Sequence, residues 1–588
     1  MSDSLFTMAP GLQQRSYGDP SQLLQRVGAG LEPFEPLAAL AEGAYAASGS
    51  SDWLMPWALA LWRLNRHPQA MEVLDRAPGA SQQTTEYQVL RGMVARQLPG
   101  GAAESLDSYR RALRLDPSRA DIYYNLANLL MEDQPELAEP AYRLSLQLDP
   151  QTATTWHNLG LTLNNLQRYP EAVAALVLSV QLDPFVADAW CNLGLAHFGL
   201  DQFDQAMRAF FLAIALDDCH GASHINMGNT LISVLKPEQA LHYLQRGVEL
   251  ETSSANSLWN LSLAYLLLGR FREGWNYYEA RFSTKSFVAL ERPSDGPQPQ
   301  CLADCPKTGE PELVVWSEQG LGDAIQFGRY FHLLEAAAVP YVFHCRPQLI
   351  ELFRHWFGLG DRVQPIRSAT DHSDPRAQIA LLSLPRLFGT ELHTIPSVVP
   401  YIKAPAPHRP ELSVPPPPGG LAVGIVWATN PDNKAMYRHK SMPLELLMPR
   451  LLDLIDLDLI DLHSLQFGDD AGQLDPWISH ERITHWPERL SDFSDTAHVV
   501  RQLDLVISVD TAVAHLAGAL NRPTWLLLPQ NADFRWLKDR SDCPWYPSMR
   551  LFRQTNHGDW AGVVNQVKAA FDELFLLNID ALAPARIG

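Results

Sequence analysis

The stretch LDLVISVDTAVAHLAGALNRPTWLLLPQ, residues 503–530, decides the fold of the C-terminal part of the chain. Residues 505–509 form a short β-branched apolar run, and residues 524–528 form a second one. Between them, residues 512–520 carry a small-residue apolar pattern that is typical of a helix. The order strand, helix, strand predicts a βαβ unit and therefore an α/β region.

The helix of this unit is predicted to begin beside Asp510, Thr511 and Ala512. The first N–H groups of a helix lack backbone partners and the helix dipole is positive there, so this end favours a diphosphate. His515 follows one turn later, within reach of the same anion. The same residues also fit an ordinary N-cap followed by a core histidine.

A second motif, EQGLGD, lies upstream at residues 318–323. It directly follows the strand-like run LVVW at residues 313–316, which places Gly322 and Asp323 at a strand-to-helix turn. Asp323 also fits a plain helix N-cap. The two motifs are 187 residues apart (510 − 323).

Both motifs resemble those of the heptosyltransferase-like GT-B glycosyltransferases, and the resemblance covers roughly residues 312–575. It implies a GT-B fold of two Rossmann-like halves, with donor and acceptor meeting at the carboxyl ends of the strands. It also implies that Asp323 is the catalytic base and that the neighbouring Gly322 binds the donor. In the DTAxxH segment, residues 510–515, the resemblance implies contacts to the donor diphosphate. His515 is expected to act in catalysis, because together with the helix dipole it would neutralise the leaving diphosphate.

The composition limits the class of protein. At 588 residues, 46% hydrophobic and 19% charged, the chain is globular and long enough for two or three domains. Its net charge of −20 argues against a nucleic-acid partner, which needs clustered lysines and arginines. No run of 18 apolar residues occurs and the N-terminus lacks signal-peptide features. We therefore expect a cytoplasmic protein without a membrane span.

The chemistry of a metal site is not apparent in the sequence. The six cysteines are scattered and indicate reduced thiols. Cys301 and Cys305 are close together, but no second pair completes a zinc site. The pair Asp456 and Asp458 lies inside an apolar run and not at a strand end. We expect a metal-independent reaction without a cofactor besides the nucleotide-sugar co-substrate.

The N-terminal half contains an internal repeat. An asparagine followed by Leu or Met recurs with spacings of 33, 34, 34 and 34, at Asn125, Asn158, Asn192, Asn226 and Asn260. This period is that of the tetratricopeptide repeat, a pair of helices stacked into an α solenoid. Small residues such as Gly160 are expected where the two helices of a unit approach closely.

The repeated asparagines suggest a partner. Asn158 points about 200° away from the packed stripe of its helix. Five such amides would form a row that pairs with the backbone of an extended peptide, whatever its sequence. The row resembles the asparagine ladder of the eukaryotic O-GlcNAc transferase. The alternative is that asparagine merely tolerates an exposed position.

A basic loop, a strand end and a late loop supply further candidates for donor binding. The loop after the strand at residues 421–427 carries Arg438 and Lys440, and the resemblance assigns one of them, left undecided, to the diphosphate. Gln466 ends the next strand and would meet the base or ribose, and Trp536 would lie at the cleft rim beside Asp533 and Arg535. A solvated loop is the alternative for these charged residues.

Changes of composition predict the domain limits. The expected parts are a disordered N-terminus (1–18), a repeat solenoid (19–282), a linker (283–311), a first Rossmann-like half (312–404), a proline-rich linker (405–420), a second Rossmann-like half that binds the nucleotide sugar (421–578) and a tail (579–588).

These features together predict a protein glycosyltransferase. Its repeats would hold a protein acceptor while the α/β region moves a sugar from a nucleotide-diphosphate sugar onto a side chain, with a serine or threonine hydroxyl as the expected acceptor. Asp323 would accept the proton, and direct attack would invert the anomeric carbon. Two alternatives stay open: an enzyme acting on a glycan or lipid carrier, and an inactive repeat scaffold. The oligomeric state is open too, a homo-oligomer included.

Overall fold

The computed structural model describes residues 19–582 apart from 30–32, 252–253, 285–286, 288–295, 367–375, 404–408, 418–419 and 433. The N-terminus predicted to be disordered lies outside the described residues, as do parts of both predicted linkers and residues 583–588 of the predicted tail. The chain divides into two compact units, Met1–Asp218 and Cys219–Gly588. The division falls inside the repeat array, in the short connection between two helix pairs.

The first unit consists of helices that pack in consecutive pairs. They are α1 (Pro20–Gly28), α2 (Phe34–Ser48), α3 (Leu54–Arg63), α4 (His67–Leu74), α5 (Gly79–Gln82), α6 (Thr85–Arg96), α7 (Ala102–Leu115), α8 (Ala120–Leu130), α9 (Pro135–Leu148), α10 (Ala153–Asn165), α11 (Tyr169–Leu182), α12 (Ala187–Gly199) and α13 (Phe203–Leu216).

Glycine allows the two helices of a repeat to approach. A Cβ on Gly160 of α10 would lie 2.4 Å from Leu176 Cγ of α11, and one on Gly194 of α12 would lie 2.5 Å from the ring of Phe210 of α13. Carbon atoms cannot pack that closely, so a larger residue would push the pair apart. The predicted role of small residues in the repeats is confirmed.

The second unit opens with two more helix pairs and continues into the first α/β half. The helices are α14 (Gly221–Ser233), α15 (Pro237–Leu250), α16 (Ala255–Leu267) and α17 (Phe271–Tyr278), followed by a 3₁₀ helix at Glu279–Ser283. The first half contains β1 (Leu313–Trp316), α18 (Leu321–Phe327), α19 (Phe331–Ala336), β2 (Tyr341–Cys345), β3 (Val363–Pro365), β4 (Gln378–Ala380) and α20 (Leu384–Leu387).

The second half is larger. It contains β5 (Leu421–Val426), α21 (Lys434–Lys440), α22 (Met448–Asp456), β6 (Ile460–Ser464), β7 (Ile483–His485), α23 (Phe493–Val500), β8 (Leu505–Val509), α24 (Ala512–Ala519), β9 (Thr524–Leu528), β10 (Met549–Arg553) and α25 (Trp560–Leu582).

Both sheets have parallel strands and the same order. The first runs β3-β2-β1-β4 and the second β7-β6-β5-β8-β9-β10. In each half the chain starts at a central strand, moves outward to one side and then crosses to the other. Such sheets bind ligands where the order reverses, outside the carboxyl ends of the strands. In this chain the reversals lie between β1 and β4 and between β5 and β8.

One hydrophobic core joins the last repeat to both α/β halves. Trp275 of α17 meets the ring of Phe327 at 5.8 Å and that of Phe534 at 5.7 Å, both edge-on. Phe271 of the same helix stacks on Trp545 at 5.9 Å. Buried aromatic pairs of this kind stabilise beyond their apolar area, so α17 is an integral part of the second unit.

The predicted fold class, a repeat solenoid followed by two Rossmann-like α/β halves, is confirmed. The sequence pattern after β1 predicts one helix over residues 323–338. That prediction is wrong, because a 3₁₀ turn at Gly328–Tyr330 separates α18 from α19. That turn carries Arg329 into the core, where it donates to the carbonyls of Pro396 and Trp545. Among the described residues, no helix is both long enough and apolar enough to cross a membrane.

Candidate functional site

A cleft of about 700 Å³ lies where the chain leaves the carboxyl ends of β1, β5 and β8. Segments of both halves line it, since residues 319–323 follow β1, residues 428–431 follow β5 and residues 510–513 follow β8. It therefore lies at the reversal point of the second sheet and beside that of the first. The sequence motifs at 318–323 and 510–515 meet in this one cleft.

The start of α24 forms one wall. Thr511 is its N-cap, with an extended backbone and no side-chain cap of its own. The Thr511 hydroxyl lies 3.0 Å from the hydroxyl of Ser508, which holds the turn between β8 and α24. Ala512 and Val513 line the cleft with the first turn of the helix. Backbone N–H groups at such a position suit an anion.

Lys440 and Asp510 form an ion pair in the same wall. Lys440 Nζ donates to Asp510 Oδ2 at 2.5 Å, and the two side chains are only 13% and 7% exposed. Burial raises the pKa of Asp510, but several opposing interactions, led by the charge of Lys440, together outweigh burial and lower the pKa to about 2. Burial likewise opposes the charge of Lys440, yet Asp510 and Asp533 raise the pKa of Lys440. Both groups are therefore charged at neutral pH.

His515 lies behind this pair. Its Nδ1 lies 3.1 Å from the Tyr546 hydroxyl, its ring stacks on Trp536 at 5.2 Å, and its Nε2 is 3.8 Å from Asp510 Oδ1. Burial lowers the pKa of His515 to about 4, more than the charge of Asp510 raises it. His515 is therefore neutral at pH 7 and offers a hydrogen bond, not a positive charge.

Asp323 stands on the opposite wall, in the first turn of α18. Its Oδ2 accepts the N–H of Gly320 at 2.8 Å, and its Oδ1 pairs with the guanidinium of Arg535. Arg535 also donates to Asp533 at 2.7 Å. Although burial lowers the pKa of Arg535, the two carboxylates raise it overall. Asp323, the candidate base, therefore pairs with the same guanidinium, that of Arg535, as Asp533 in the loop after β9.

Gly322 brings the two walls together. A Cβ at this position would lie 2.7 Å from His515 Cδ2 and 3.2 Å from the Cα of Ala512. Helices α18 and α24 therefore touch through the backbone of Gly322. The glycine, which was predicted to bind the donor, sets the distance between Asp323 and the start of α24.

Eight of the predicted catalytic and donor-binding residues line the cleft. They are Gly322, Asp323, Lys440, Gln466, Asp510, Thr511, Ala512 and His515. Arg438 is exposed and is not among the lining residues, so the geometry favours Lys440 of the two basic candidates. Trp536, predicted at the cleft rim, is fully buried instead; it stacks on His515 and is not among the residues that line the cleft.

Gln466 lies in the cleft with its amide already engaged. Its Oε1 accepts the N–H groups of Trp427 and Ala428 at 3.0 and 2.9 Å, and its Nε2 donates to the Phe467 carbonyl. These bonds shape the end of β5, and the contact of Gln466 to a base or ribose stays a prediction. The adjacent Phe467 is 46% exposed and offers an apolar face.

Sequence reasoning missed several lining residues. Arg346 and Gln348 are exposed side chains just beyond the end of β2, and both line the cleft. The sequence does indicate their position, because they follow the strand-like run at 341–344. The carboxyl end of that strand lies at the same sheet edge as that of β1. Asp492 directly precedes a helical pattern, which indicates only an N-cap. It does cap α23 through the N–H groups of Ser494 and Asp495, and it also lines the cleft.

The repeated asparagines are half-buried in both units. In the first unit, Asn158 donates to Asn128 at 2.8 Å and to the Tyr124 hydroxyl at 3.3 Å, and Asn192 Nδ2 lies 2.7 Å from His157 Nε2. The amides of Asn158 and Asn192 therefore join neighbouring repeats. Asn125 lies on α8 of the first unit, while Asn226 and Asn260 lie on α14 and α16 of the second.

Comparisons with known proteins identify the repeats. Residues 102–134 match a family model described as TPR repeat, and residues 157–220 match one described as Tetratricopeptide repeat. Repeats of this kind form protein-interaction surfaces. The chain is also similar to Protein FlbA of Caulobacter vibrioides (strain ATCC 19089 / CIP 103742 / CB 15), with 26% identity over 351 residues, 52% of this chain and 53% of FlbA. The chain thus spans about half the length of the curated relative that it matches.

Several solved structures are similar to parts of the chain. PilF of Pseudomonas aeruginosa is 24% identical, with 36% of this chain and 96% of PilF covered and a TM-score of 0.31. MamA from Desulfovibrio magneticus RS-1 is 23% identical, with 26% and 88% covered and a TM-score of 0.25. YrrB, described as a TPR protein with an unusual peptide-binding site, is 20% identical, with 31% and 94% covered and a TM-score of 0.26.

Proposed function

We propose that this chain is a glycosyltransferase that moves a sugar from a nucleotide-diphosphate sugar onto a protein side chain. The observation that carries the proposal is the meeting of two sequence motifs, 187 residues apart (510 − 323), on facing walls of one cleft. One wall offers a carboxylate, Asp323. The other offers the start of α24 with Lys440, Asp510, Thr511 and a neutral His515.

The second wall suits a diphosphate. The N–H groups at the start of α24 and the ammonium of Lys440 would stabilise the negative charge that grows on the leaving group. His515 would add a hydrogen bond from Nε2, because its Nδ1 faces the Tyr546 hydroxyl. Lys440 is paired with Asp510 in the cleft, so the phosphate would share this cation with a carboxylate.

The transfer itself is a displacement at the anomeric carbon. The acceptor oxygen forms a bond to that carbon while the bond from the carbon to the diphosphate oxygen breaks. The acceptor proton passes to Asp323, and the nucleoside diphosphate departs with the electron pair. Attack from the side opposite the leaving group inverts the anomeric centre.

Arg535 connects donor binding to the base. It pairs with Asp323 and Asp533 and lines the cleft. A bound diphosphate would compete for this guanidinium, since arginine binds phosphate oxygens in a forked geometry. Asp323 would then be released to accept a proton once the donor is in place.

The repeats would bind the acceptor of the sugar. Their asparagines combine donors and acceptors that suit the backbone of an extended chain. We therefore propose a protein or peptide acceptor, with a serine or threonine hydroxyl as the group that is modified. We further propose that the reaction needs no divalent metal, since no D-x-D pair stands at a strand end in the sequence.

The test is release of nucleoside diphosphate by the full chain from a panel of nucleotide-diphosphate sugars, with mass spectrometry of added proteins. Asp323→Asn keeps the shape of the side chain but is a far weaker proton acceptor, so transfer should fall by roughly 10²–10⁴ with donor binding retained. Chelation of divalent ions should leave release unchanged.

Three results would contradict parts of the proposal. If no member of the panel is bound or turned over, the chain is a scaffold. If Asp323→Asn is fully active, the base is another group. His332 and His344 are poor substitutes for it, because neither is among the residues that line the cleft. A strict metal requirement would remove the metal-free mechanism.

A further inference from the structure

The last repeat contributes a buried arginine to the first α/β half. Arg281, in the 3₁₀ helix after α17, is fully buried, and its Nε and Nη2 donate to the two oxygens of Glu318, each at 2.8 Å. Its Nη2 also donates to Ser383 at 2.9 Å, and its Nη1 donates to the Tyr278 carbonyl at 3.0 Å. A buried charge pair of this kind adds little net stability over apolar packing, so its geometry points to another role.

Glu318 is the first residue of the segment that carries the candidate base. The motif at 318–323 begins with Glu318 and ends with Asp323. Besides Arg281, the carboxylate of Glu318 accepts the N–H of Leu382 at 3.1 Å. The forked bonds of Arg281 fix both the position and the plane of Glu318.

A second bond from the same repeat holds the next residue. Gln319, which lines the cleft, donates from Nε2 to the hydroxyl of Tyr278 at 3.0 Å. After Gln319 comes Gly320, whose N–H is bonded to Asp323 itself. The last repeat thus holds the start of the motif through Gln319, and within the motif the N–H of Gly320 holds the carboxylate of Asp323.

The same repeat also supports the partner of the base. The rings of Trp275 and Tyr278 meet Phe534 edge-on at 5.7 and 6.0 Å. Phe534 directly precedes Arg535, which pairs with Asp323. Helix α17 therefore contacts Gln319, in the segment that carries Asp323, and Phe534, the residue before Arg535.

We propose that Arg281 and Tyr278 are positioning residues that hold the segment 318–323 in place, so that the last repeat is part of the transfer site. This inference rests on the proposed function. It implies that the functional α/β unit begins in the repeats and not at the predicted linker. Removing a contact should displace Asp323 more than Lys440 and Asp510 of the diphosphate wall, because those two residues lie on segments that follow β5 and β8.

The test uses two mild variants in the full chain. Tyr278→Phe removes only the hydroxyl that holds Gln319, and Arg281→Lys keeps the charge but loses the fork. The matched control is Arg272→Lys on α17, because Arg272 also bridges to the first half, through Glu391, but is 73% exposed and does not line the cleft. Thermal melting checks that each variant folds.

Two readouts follow the position of the base. We expect kcat to fall about ten- to a hundredfold in each mild variant, with donor KM changed less than about twofold, because a small misplacement of a reacting group affects the chemical step. We also expect faster amide hydrogen exchange in the peptide that contains residues 318–327, with Arg272→Lys unchanged in both measurements.

The two readouts separate the inference from the proposed function. If the parent turns over no nucleotide sugar, the proposed function fails, and hydrogen exchange still decides whether Arg281 and Tyr278 hold the segment. Parent-like exchange at 318–327 in both variants would overturn the inference. So would a rise in donor KM at constant kcat, which would place the effect on donor binding.

Discussion

Lys440 and Arg438 lie two positions apart on α21, and the fold gives them different environments. Lys440 faces the start of α24 in the cleft, while Arg438 is exposed and lies outside the lining. A hydrogen bond to a charged group contributes about 1.5–3 kcal/mol. We expect Lys440→Gln to weaken binding of a nucleoside diphosphate about ten- to a hundredfold, and Arg438→Gln to leave it unchanged.

Calorimetric titration of the full chain with nucleoside diphosphates measures this difference. Lys440→Gln also leaves Asp510 without its ammonium partner, so thermal melting of the same samples is needed to confirm the fold. Equal losses in the two variants would mean that the basic loop acts through its overall charge and that the ion pair with Asp510 is only structural.

His515 makes the stability of the second unit depend on pH. Burial holds its pKa at about 4 in the folded chain, below the 6.5 of a free histidine. Between these values the unfolded chain binds a proton and the folded chain does not. The stability that comes from keeping His515 neutral is fully present above pH 6.5 and is lost as the pH falls towards 4. Between pH 7 and pH 5 this histidine should lower the free energy of unfolding by about 2 kcal/mol.

Urea unfolding at pH 7 and pH 5, followed by tryptophan fluorescence, tests this contribution. In His515→Gln the loss of unfolding free energy between the two pH values should be smaller than in the parent by about 2 kcal/mol. His393→Gln is the control, because the side chain of His393 is 76% exposed. An acid sensitivity that survives unchanged in His515→Gln would show that the histidine is protonated in the folded chain.

The site residues that the sequence identified are those whose role depends on local structure. Asp510 and Asp323 each stand where a strand-like run gives way to a helix, and the sequence shows both. The ion pair of Asp323 with Arg535 spans 212 residues of chain. Nothing in the local sequence of either residue indicates that contact, because it forms only when the two halves come together.

At the scale of elements, the approach of α18 and α24 depends on Gly322. Alanine is favoured over glycine inside a helix by about 1 kcal/mol. In Gly322→Ala, however, the new methyl group would meet His515 at 2.7 Å and the backbone of Ala512 at 3.2 Å. Overpacking of this kind costs about 1–3 kcal/mol, so we expect net destabilisation and weaker binding of nucleoside diphosphate.

Thermal melting and calorimetry of Gly322→Ala check the prediction. Gly472→Ala is a suitable control, since the nearest atom to its new Cβ would be a carboxylate oxygen of Asp475 at 3.7 Å. We expect the free energy of unfolding of that variant to lie within about 0.5 kcal/mol of the parent's. If Gly322→Ala is as stable as the control and binds as the parent does, the two helices are not constrained by this contact.

The strands were predictable because their apolar runs are short and bounded by turn residues. The runs at 313–316, 505–509 and 524–528 coincide with β1, β8 and β9. The break between α18 and α19 was not predictable. It is stabilised by the bonds of Arg329 to Pro396 and Trp545, which are 67 and 216 residues away, and helical periodicity continues through it.

At the scale of the molecule, the asparagine row decides between a protein acceptor and a glycan or lipid acceptor. Each amide-to-backbone bond contributes only about 0.5–1.5 kcal/mol, so one substitution would hardly register. Replacing Asn158, Asn192, Asn226 and Asn260 together with alanine should cost several kcal/mol of acceptor binding. Transfer to protein should fall strongly, while hydrolysis of the donor persists.

The measurement compares protein modification with donor hydrolysis in the fourfold variant. Melting of the variant is measured as well, because Asn158 also bonds to Asn128 and Tyr124. Asn165→Ala, at the exposed end of α10, is the control for loss of an amide. Parent-like modification of protein by the fourfold variant would favour a glycan or lipid acceptor.

The core shared by the last repeat and the two halves also has a consequence for synthesis of the chain. Phe271 and Trp275 leave the ribosome long before Phe534, which follows Phe271 by 263 residues (534 − 271). At about 5–20 residues per second, translation of that distance takes tens of seconds. During this time the finished array lacks the aromatic partners that the second half supplies, Phe534 and Trp545. A message cut short within the second half would therefore yield a nascent chain that aggregates through its last repeat.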